Sequence, residues 1–170
     1  MKLANRSRRG GFTLVEVLIV VVMLGLLAAT VLPQLTQASK DAKETSLVQN
    51  LQMIRHQISL YKLQHDGTLP AQGTSDATTF TNQLMNKTDL DGTVNVATEA
   101  FGPYLLGHVL ANPYTDVRTV KVVNGALAVS DYDGSGAHGW AYSSTTGDLR
   151  GNVASTIMSI VETTKPVNSF

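Results

Sequence analysis

The stretch from Phe12 to Leu32, FTLVEVLIVVVMLGLLAATVL, is the only part of this 170-residue sequence long and apolar enough to cross a bilayer, which takes roughly 20 predominantly apolar residues. Only Thr13, Glu16 and Thr30 interrupt it. Ahead of it stand Lys2, Arg6, Arg8 and Arg9, then Gly10 and Gly11, with no acid among them. Basic flanks stay on the cytoplasmic side, so the rest of the chain is expected outside. Glu16 is the anomaly. A carboxylate within a membrane helix costs about 2.5 kcal/mol or more on insertion scales and is normally paired. If a protease cuts after Gly11, the new α-amino group of Phe12 becomes a cation close to Glu16, and the two charges can pair within one subunit or between neighbours.

RRGG followed by FTLVEVLIVVVMLGLLAATVLPQ resembles the class III signal peptide of type IV pilins and type II secretion pseudopilins. Among these the chain is most like a major pseudopilin of a type II secretion system. The resemblance implies cleavage between Gly11 and Phe12 by a prepilin peptidase and N-methylation of Phe12, with Glu16 as the family's acid. It also implies a structural subunit that polymerises through its N-terminal helix into a periplasmic pseudopilus supporting protein secretion. The implied partners are the chain itself, minor pseudopilins, the prepilin peptidase and the inner-membrane assembly platform. The implied location is the inner membrane, crossed once, with the N-terminus cytoplasmic and the C-terminal region periplasmic. Three readings stand beside it: a type IV pilus subunit, a signal-anchored binding module that never polymerises, and an ordinary secretory signal. A secretory signal carries its small-residue cleavage site behind the apolar core, whereas Gly10 and Gly11 lie in front. A simple anchor gains nothing from a charge at Glu16.

Lysine plus arginine and aspartate plus glutamate both number 13. Four of those cations precede Gly11, so the remainder is acidic on balance and nothing in it invites nucleic acid. The absence of cysteine excludes disulfides, thiol nucleophiles and cysteine-based metal sites. It leans toward the pseudopilins, since many type IV pilins close a C-terminal loop with a disulfide.

Pro33 lies within the expected helix, where it removes a backbone hydrogen bond, and Gly25 adds a second weak point. The resemblance gives Pro33 a part in assembly, because pilin-like helices carry a proline here and extend locally when packed in a filament. The alternative is that membrane helices tolerate both residues. Beyond Pro33 the composition turns polar, but Leu47, Leu51, Ile54, Ile58 and Tyr61 recur at steps of four and three and so share one helical face. The helix is expected to run on to His65, about 80 Å from Phe12 at the rise of an α-helix, until Asp66 and Gly67 stop it. Four segments follow: a leader over 1–11, a membrane and filament-core helix over 12–33, its amphipathic continuation over 34–66, and a periplasmic region over 67–170.

Within that last region Asp76 is expected to cap a short helix reaching Asn86 and offering Phe80, Leu84 and Met85. A connecting segment from Phe101 to Asp116 places Leu105, Leu106, Val109 and Leu110 between Pro103 and Pro113. Thr119–Val123 and Ala126–Ser130 flank Asn124 and Gly125, a pair that suits a type I′ hairpin. His138–Ser143 and Asp148–Val153 read as a second strand pair, with Trp140 and Tyr142 on one face. Ile157, Met158, Ile160 and Val161 suggest a short last element. The fold class is therefore α+β and pilin-like: a long N-terminal helix with a small antiparallel sheet on its second half.

Asp131, Asp133 and Ser135, ahead of Gly136, alternate as the oxygen ligands of a calcium loop do. The resemblance adds weight, since several major pseudopilins bind calcium in their β region. The spacing departs from an EF-hand, with Tyr142 at the twelfth place, and an Asp and Gly turn explains the same residues without a metal. His56, His65, His108 and His138 have no ligand spacing, and no nucleophile motif is present. The sequence gives no sign of an enzyme.

Overall fold

The computed structural model describes residues 11–94 and 101–155. The expected last element and all of the leader except Gly11 lie outside them. The chain divides into two compact units, one ending at Lys40 and the other beginning at Asp41. Helix α1, Leu14–Gln64, runs through both.

In the first unit every described residue is exposed, and up to Leu32 α1 is apolar on all sides except at Glu16 and Thr30. In the second unit α1 becomes amphipathic, and Leu47, Leu51, Ile54, Ile58 and Tyr61 are buried as their spacing requires. The helix ends where the chain turns left-handed at Asp66 (φ 51°) and Gly67 (φ 83°). There the Gly67 N–H reaches back to Lys62 O at 2.9 Å, a bond of the Schellman kind.

Helix α2, Ala77–Met85, starts at Asp76, whose carboxylate accepts from the N–H groups of Thr78 and Thr79. Its Phe80 and Leu84 are fully buried. In the segment from Phe101 to Asp116, Leu105 and Val109 join the core whereas Leu106 points outward.

Three strands follow: β1 (Val120–Val123), β2 (Trp140–Ser143) and β3 (Leu149–Gly151), in the spatial order β1-β2-β3. β2 and β3 pair antiparallel, with Tyr142 opposite Leu149. β1 pairs with β2 in parallel, Val120 opposite Trp140 and Val123 opposite Ser143. The sheet is therefore mixed, and the hairpin expected across Asn124 and Gly125 does not form. Instead of a returning strand, a 3-10 turn occupies Val129–Asp131. A type I′ turn needs positive φ at both central residues. Gly125 sits at φ 145° and Asn124 is not among the positive-φ residues. Asn124 is tied elsewhere, donating through Nδ2 to Gly73 O at 2.9 Å while its Oδ1 accepts from Thr145 Oγ1 at 3.0 Å.

As the central strand, β2 is buried on both faces. Trp140 Nε1 donates to Leu110 O at 2.7 Å and the Tyr142 hydroxyl to Pro70 O at 3.2 Å, so both polar handles are satisfied inside the core. Gly139 precedes the strand so closely against Val117 O that a Cβ could not be accommodated.

Candidate functional site

The residues singled out at the N-terminus lie together. Gly11, Phe12 and Thr13 precede the helix, and Phe12 is 84% exposed. A Cβ added at Gly11 would meet nothing among the described residues. Thr13 Oγ1 accepts from the Glu16 N–H at 3.2 Å, and Glu16 Oε2 accepts from the Thr13 N–H at 3.4 Å. This reciprocal pair is a capping box, in which two of the unsatisfied N–H groups at a helix start are bonded by side chains. The Thr-x-x-Glu spacing from Thr13 to Glu16 was its signal in the sequence.

The other hydroxyls of this segment turn back on their own helix, Thr30 Oγ1 to Leu27 O at 3.0 Å and Thr36 Oγ1 to Leu32 O at 3.1 Å. Glu16 differs from them because it carries a charge. One long N–H contact does not neutralise it, and it has no ion pair among the described residues. Pro33 lies inside α1, which continues past it.

The second candidate, at Asp131, Asp133 and Ser135, belongs to the crossover between β1 and β2. Asp131 Oδ1 is 2.9 Å from Lys121 Nζ, and its Oδ2 accepts from the Ala128 N–H at 2.7 Å. Its carbonyl meets His138 Nε2 at 2.6 Å. The Lys121 hydrogen bond, followed by that of Ala128, holds the Asp131 carboxyl below the usual carboxylate range. Asp133 Oδ1 accepts from the Ser135 N–H at 2.9 Å, which lowers that carboxyl too. Calcium takes six to eight oxygens in one shell. Here one carboxylate serves a lysine and a backbone N–H while the other closes an Asx turn, and no group of three or more acids and histidines gathers among the described residues. Arranged in this way, the three residues do not form a calcium shell, because they do not converge and one Asp131 oxygen is engaged by the Lys121 ammonium.

Two buried polar fixtures were not legible in the sequence. Asn112, fully buried, donates through Nδ2 to Gly139 O at 2.7 Å and Asn152 O at 3.2 Å, and accepts the Tyr114 N–H at 2.9 Å. His65, also buried, has Nδ1 2.8 Å from Tyr61 O and Nε2 2.9 Å from Thr88 Oγ1. A carbonyl only accepts, so Nδ1 carries a proton and donates to Tyr61 O. The ring stacks on Tyr61 with centroids 3.7 Å apart. Burial first, then Tyr104, raises the Tyr61 phenol to about 12.

The prokaryotic N-terminal methylation motif matches residues 6–32. Type II secretion system core protein G of Pseudomonas aeruginosa is 41% identical over 59 residues, covering 35% of this chain and 42% of that protein. Its namesake in Aeromonas hydrophila is 34% identical over 62 residues, covering 36% and 43%. A ComG operon protein 3 homolog of Bacillus licheniformis is 30% identical over 60 residues, covering 35% and 62%. The chain thus spans less than half the length of the two secretion proteins. No solved structure matches it. The match to the methylation motif and the similarity to core protein G give the pilin-like resemblance its basis, and the long apolar helix with a small sheet in the second unit is consistent with a pilin-like α+β fold.

Proposed function

We propose that this chain is the structural subunit of a periplasmic pseudopilus. In this reading a prepilin peptidase cuts between Gly11 and Phe12 and methylates Phe12, and the subunits polymerise through the apolar part of α1 to support type II secretion. Before assembly the chain crosses the inner membrane once, its leader in the cytoplasm and its second unit in the periplasm. Copies of itself, minor pseudopilins and an inner-membrane platform are its partners. The observation that carries this reading is the Glu16 carboxylate, folded back onto the Thr13 N–H next to Phe12 and without an ion pair among the described residues. Cleavage after Gly11 would create an ammonium on the adjacent residue, where the charge is needed. A type IV pilus subunit would use the same chemistry, and the relative named for the ComG operon keeps that alternative in view.

Mass spectrometry of the native protein tests the processing, with an N-terminus at methylated Phe12 as the expected result. Assembly is tested by cysteine pairs introduced along residues 14–32. Ordered cross-links should form in the parent and be largely lost with Glu16→Leu, although that variant is still inserted and cleaved. A different N-terminus, or equal cross-linking with leucine at 16, overturns the reading.

A further inference from the structure

Cutting between Gly11 and Phe12 requires a peptide bond that an enzyme can engage directly, and accessibility of that kind depends on the burial and hydrogen bonding of the backbone concerned. Both residues lie outside α1, which begins at Leu14, and both are exposed. Neither the Gly11 carbonyl nor the Phe12 N–H is hydrogen-bonded among the described residues. Directly after them the helical ladder begins, with Thr13 O accepting from the Val17 N–H at 3.3 Å. The border between open and helical backbone therefore falls on Thr13.

Apolar side chains alone do not put the border there. The first N–H groups of any helix lack helical acceptors, and in an apolar surrounding such groups are costly. A helix starting at Leu14 would gain by winding further back, because the Val15 N–H could then take Gly11 O and the Glu16 N–H could take Phe12 O, each four residues earlier. Gly11 does not prevent this, since glycine is accepted at a cap although it is poor inside a helix. The Thr13–Glu16 box does. Thr13 Oγ1 already satisfies the Glu16 N–H, and Glu16 Oε2 engages the Thr13 N–H, so Thr13 stays outside the helix and the two residues before it stay outside as well.

We propose that Thr13 is a positioning residue for processing: by capping α1, its hydroxyl keeps the Gly11–Phe12 bond out of the helix and open to a prepilin peptidase. Hydrolysis adds water across that bond, the Gly11 carbonyl carbon taking the hydroxyl and the Phe12 nitrogen the proton. A Gly11 carbonyl held by the Val15 N–H would be turned along the helix axis and withdrawn from that attack. The inference rests on the processing reading above and adds to it a residue on the far side of the cut. Glu16 then serves twice in succession, first as half of the cap and afterwards as the partner of the new ammonium.

The test follows the rate at which the full-length precursor in membranes loses its leader to a prepilin peptidase, read by mass spectrometry. Thr13→Val, alike in shape but without the acceptor, should be cut about threefold or more slowly than the parent, the scale expected from losing a cap. Thr13→Ser should restore the parent rate, because serine caps at least as well as threonine. Thr36→Val, which removes a hydroxyl bonded back to Leu32 O, should be cut like the parent. Amide hydrogen exchange of the uncut precursor gives a readout that does not involve the peptidase: in Thr13→Val the Val15 N–H should gain protection as it takes Gly11 O. Equal cutting of Thr13→Val and the parent overturns the inference, as does a Thr13→Ser cut no faster than Thr13→Val. Slow cutting without added protection at Val15 overturns it too, since the peptidase would then be reading the hydroxyl itself. In each of these cases a parent cut after Gly11 leaves the processing reading standing, whereas a parent that is not cut there removes both.

Discussion

Residues 14–33 and 44–64 belong to the same helix, yet they solve opposite problems. The first stretch is exposed at every position and apolar all round, so no single face selects a partner within the chain. A helix of that kind is buried in lipid or among other helices. In the second stretch the apolar residues narrow to one stripe, each member 3% exposed or less, and the chain covers that stripe itself. What differs is who supplies the cover. The absence of a stripe points to a partner outside the fold, and its presence obliges the downstream sequence to build a lid.

The largest effect should come from the stripe itself. Ile54, fully buried, should cost about 2–5 kcal/mol when cut to alanine, through lost transfer energy and the cavity left behind. Val20→Ala should leave the same transition in place. Thermal unfolding of the full-length protein in detergent, followed by near-ultraviolet circular dichroism of Trp140, separates the two. Equal shifts would break the comparison.

Next come the fixtures of the lid. Asn112→Ala leaves the Asn152 carbonyl and the Tyr114 N–H without their buried partner, while the Gly139 carbonyl keeps the Asn152 N–H at 2.9 Å. Such orphaned groups cost about 1–3 kcal/mol, and a shift in the same unfolding midpoint should report it. Smaller still is Asp76→Ala, which removes the cap of α2 and should cost about 1 kcal/mol. Either variant sharpens the comparison if it loosens the second stretch while cross-linking over residues 14–32 is unchanged.

The legible parts of this fold are those written in local pattern. The apolar run, the stripe from Leu47 to Tyr61, the Asp76 cap, the left-handed stop at Gly67 and the antiparallel β2-β3 pair all follow from periodicity or turn chemistry within a few residues. The parallel pairing of β1 with β2 did not follow. Asn124 is held by Gly73 and Thr145, contacts 51 and 21 residues away in sequence, and no short-range rule carries that information. Asn112 was hidden for the same reason, since its partners Gly139 and Asn152 lie far along the chain. At the N-terminus the acid was conspicuous because it interrupts a membrane helix. Its capping role was equally readable from the Thr13 spacing but masked by the anomaly of the charge.

The smallest effect concerns the crossover loop, where sequence pattern suggested a metal and the structure supplies a lysine. With its folded carboxyl held below the ordinary value by Lys121 first and by the Ala128 N–H, Asp131 binds fewer protons folded than unfolded. Its contribution is therefore present above the unfolded carboxylate range and is lost as pH falls through the folded value. Lys121 is 42% exposed, so solvent screening limits the pair to about 1 kcal/mol or less. Asp131→Asn should lower the midpoint slightly at neutral pH and flatten its fall in acid, and Lys121→Met should do much the same. Calcium at millimolar concentration should leave the parent midpoint unchanged, because a ligand raises it only by binding the folded state and the Asp131 carboxylate is already engaged by Lys121 and the Ala128 N–H. A calcium-dependent rise that Asp131→Asn abolishes would mean that the lysine gives way to the ion, and that this part of the lid, like the apolar half of α1, takes its partner from outside the chain.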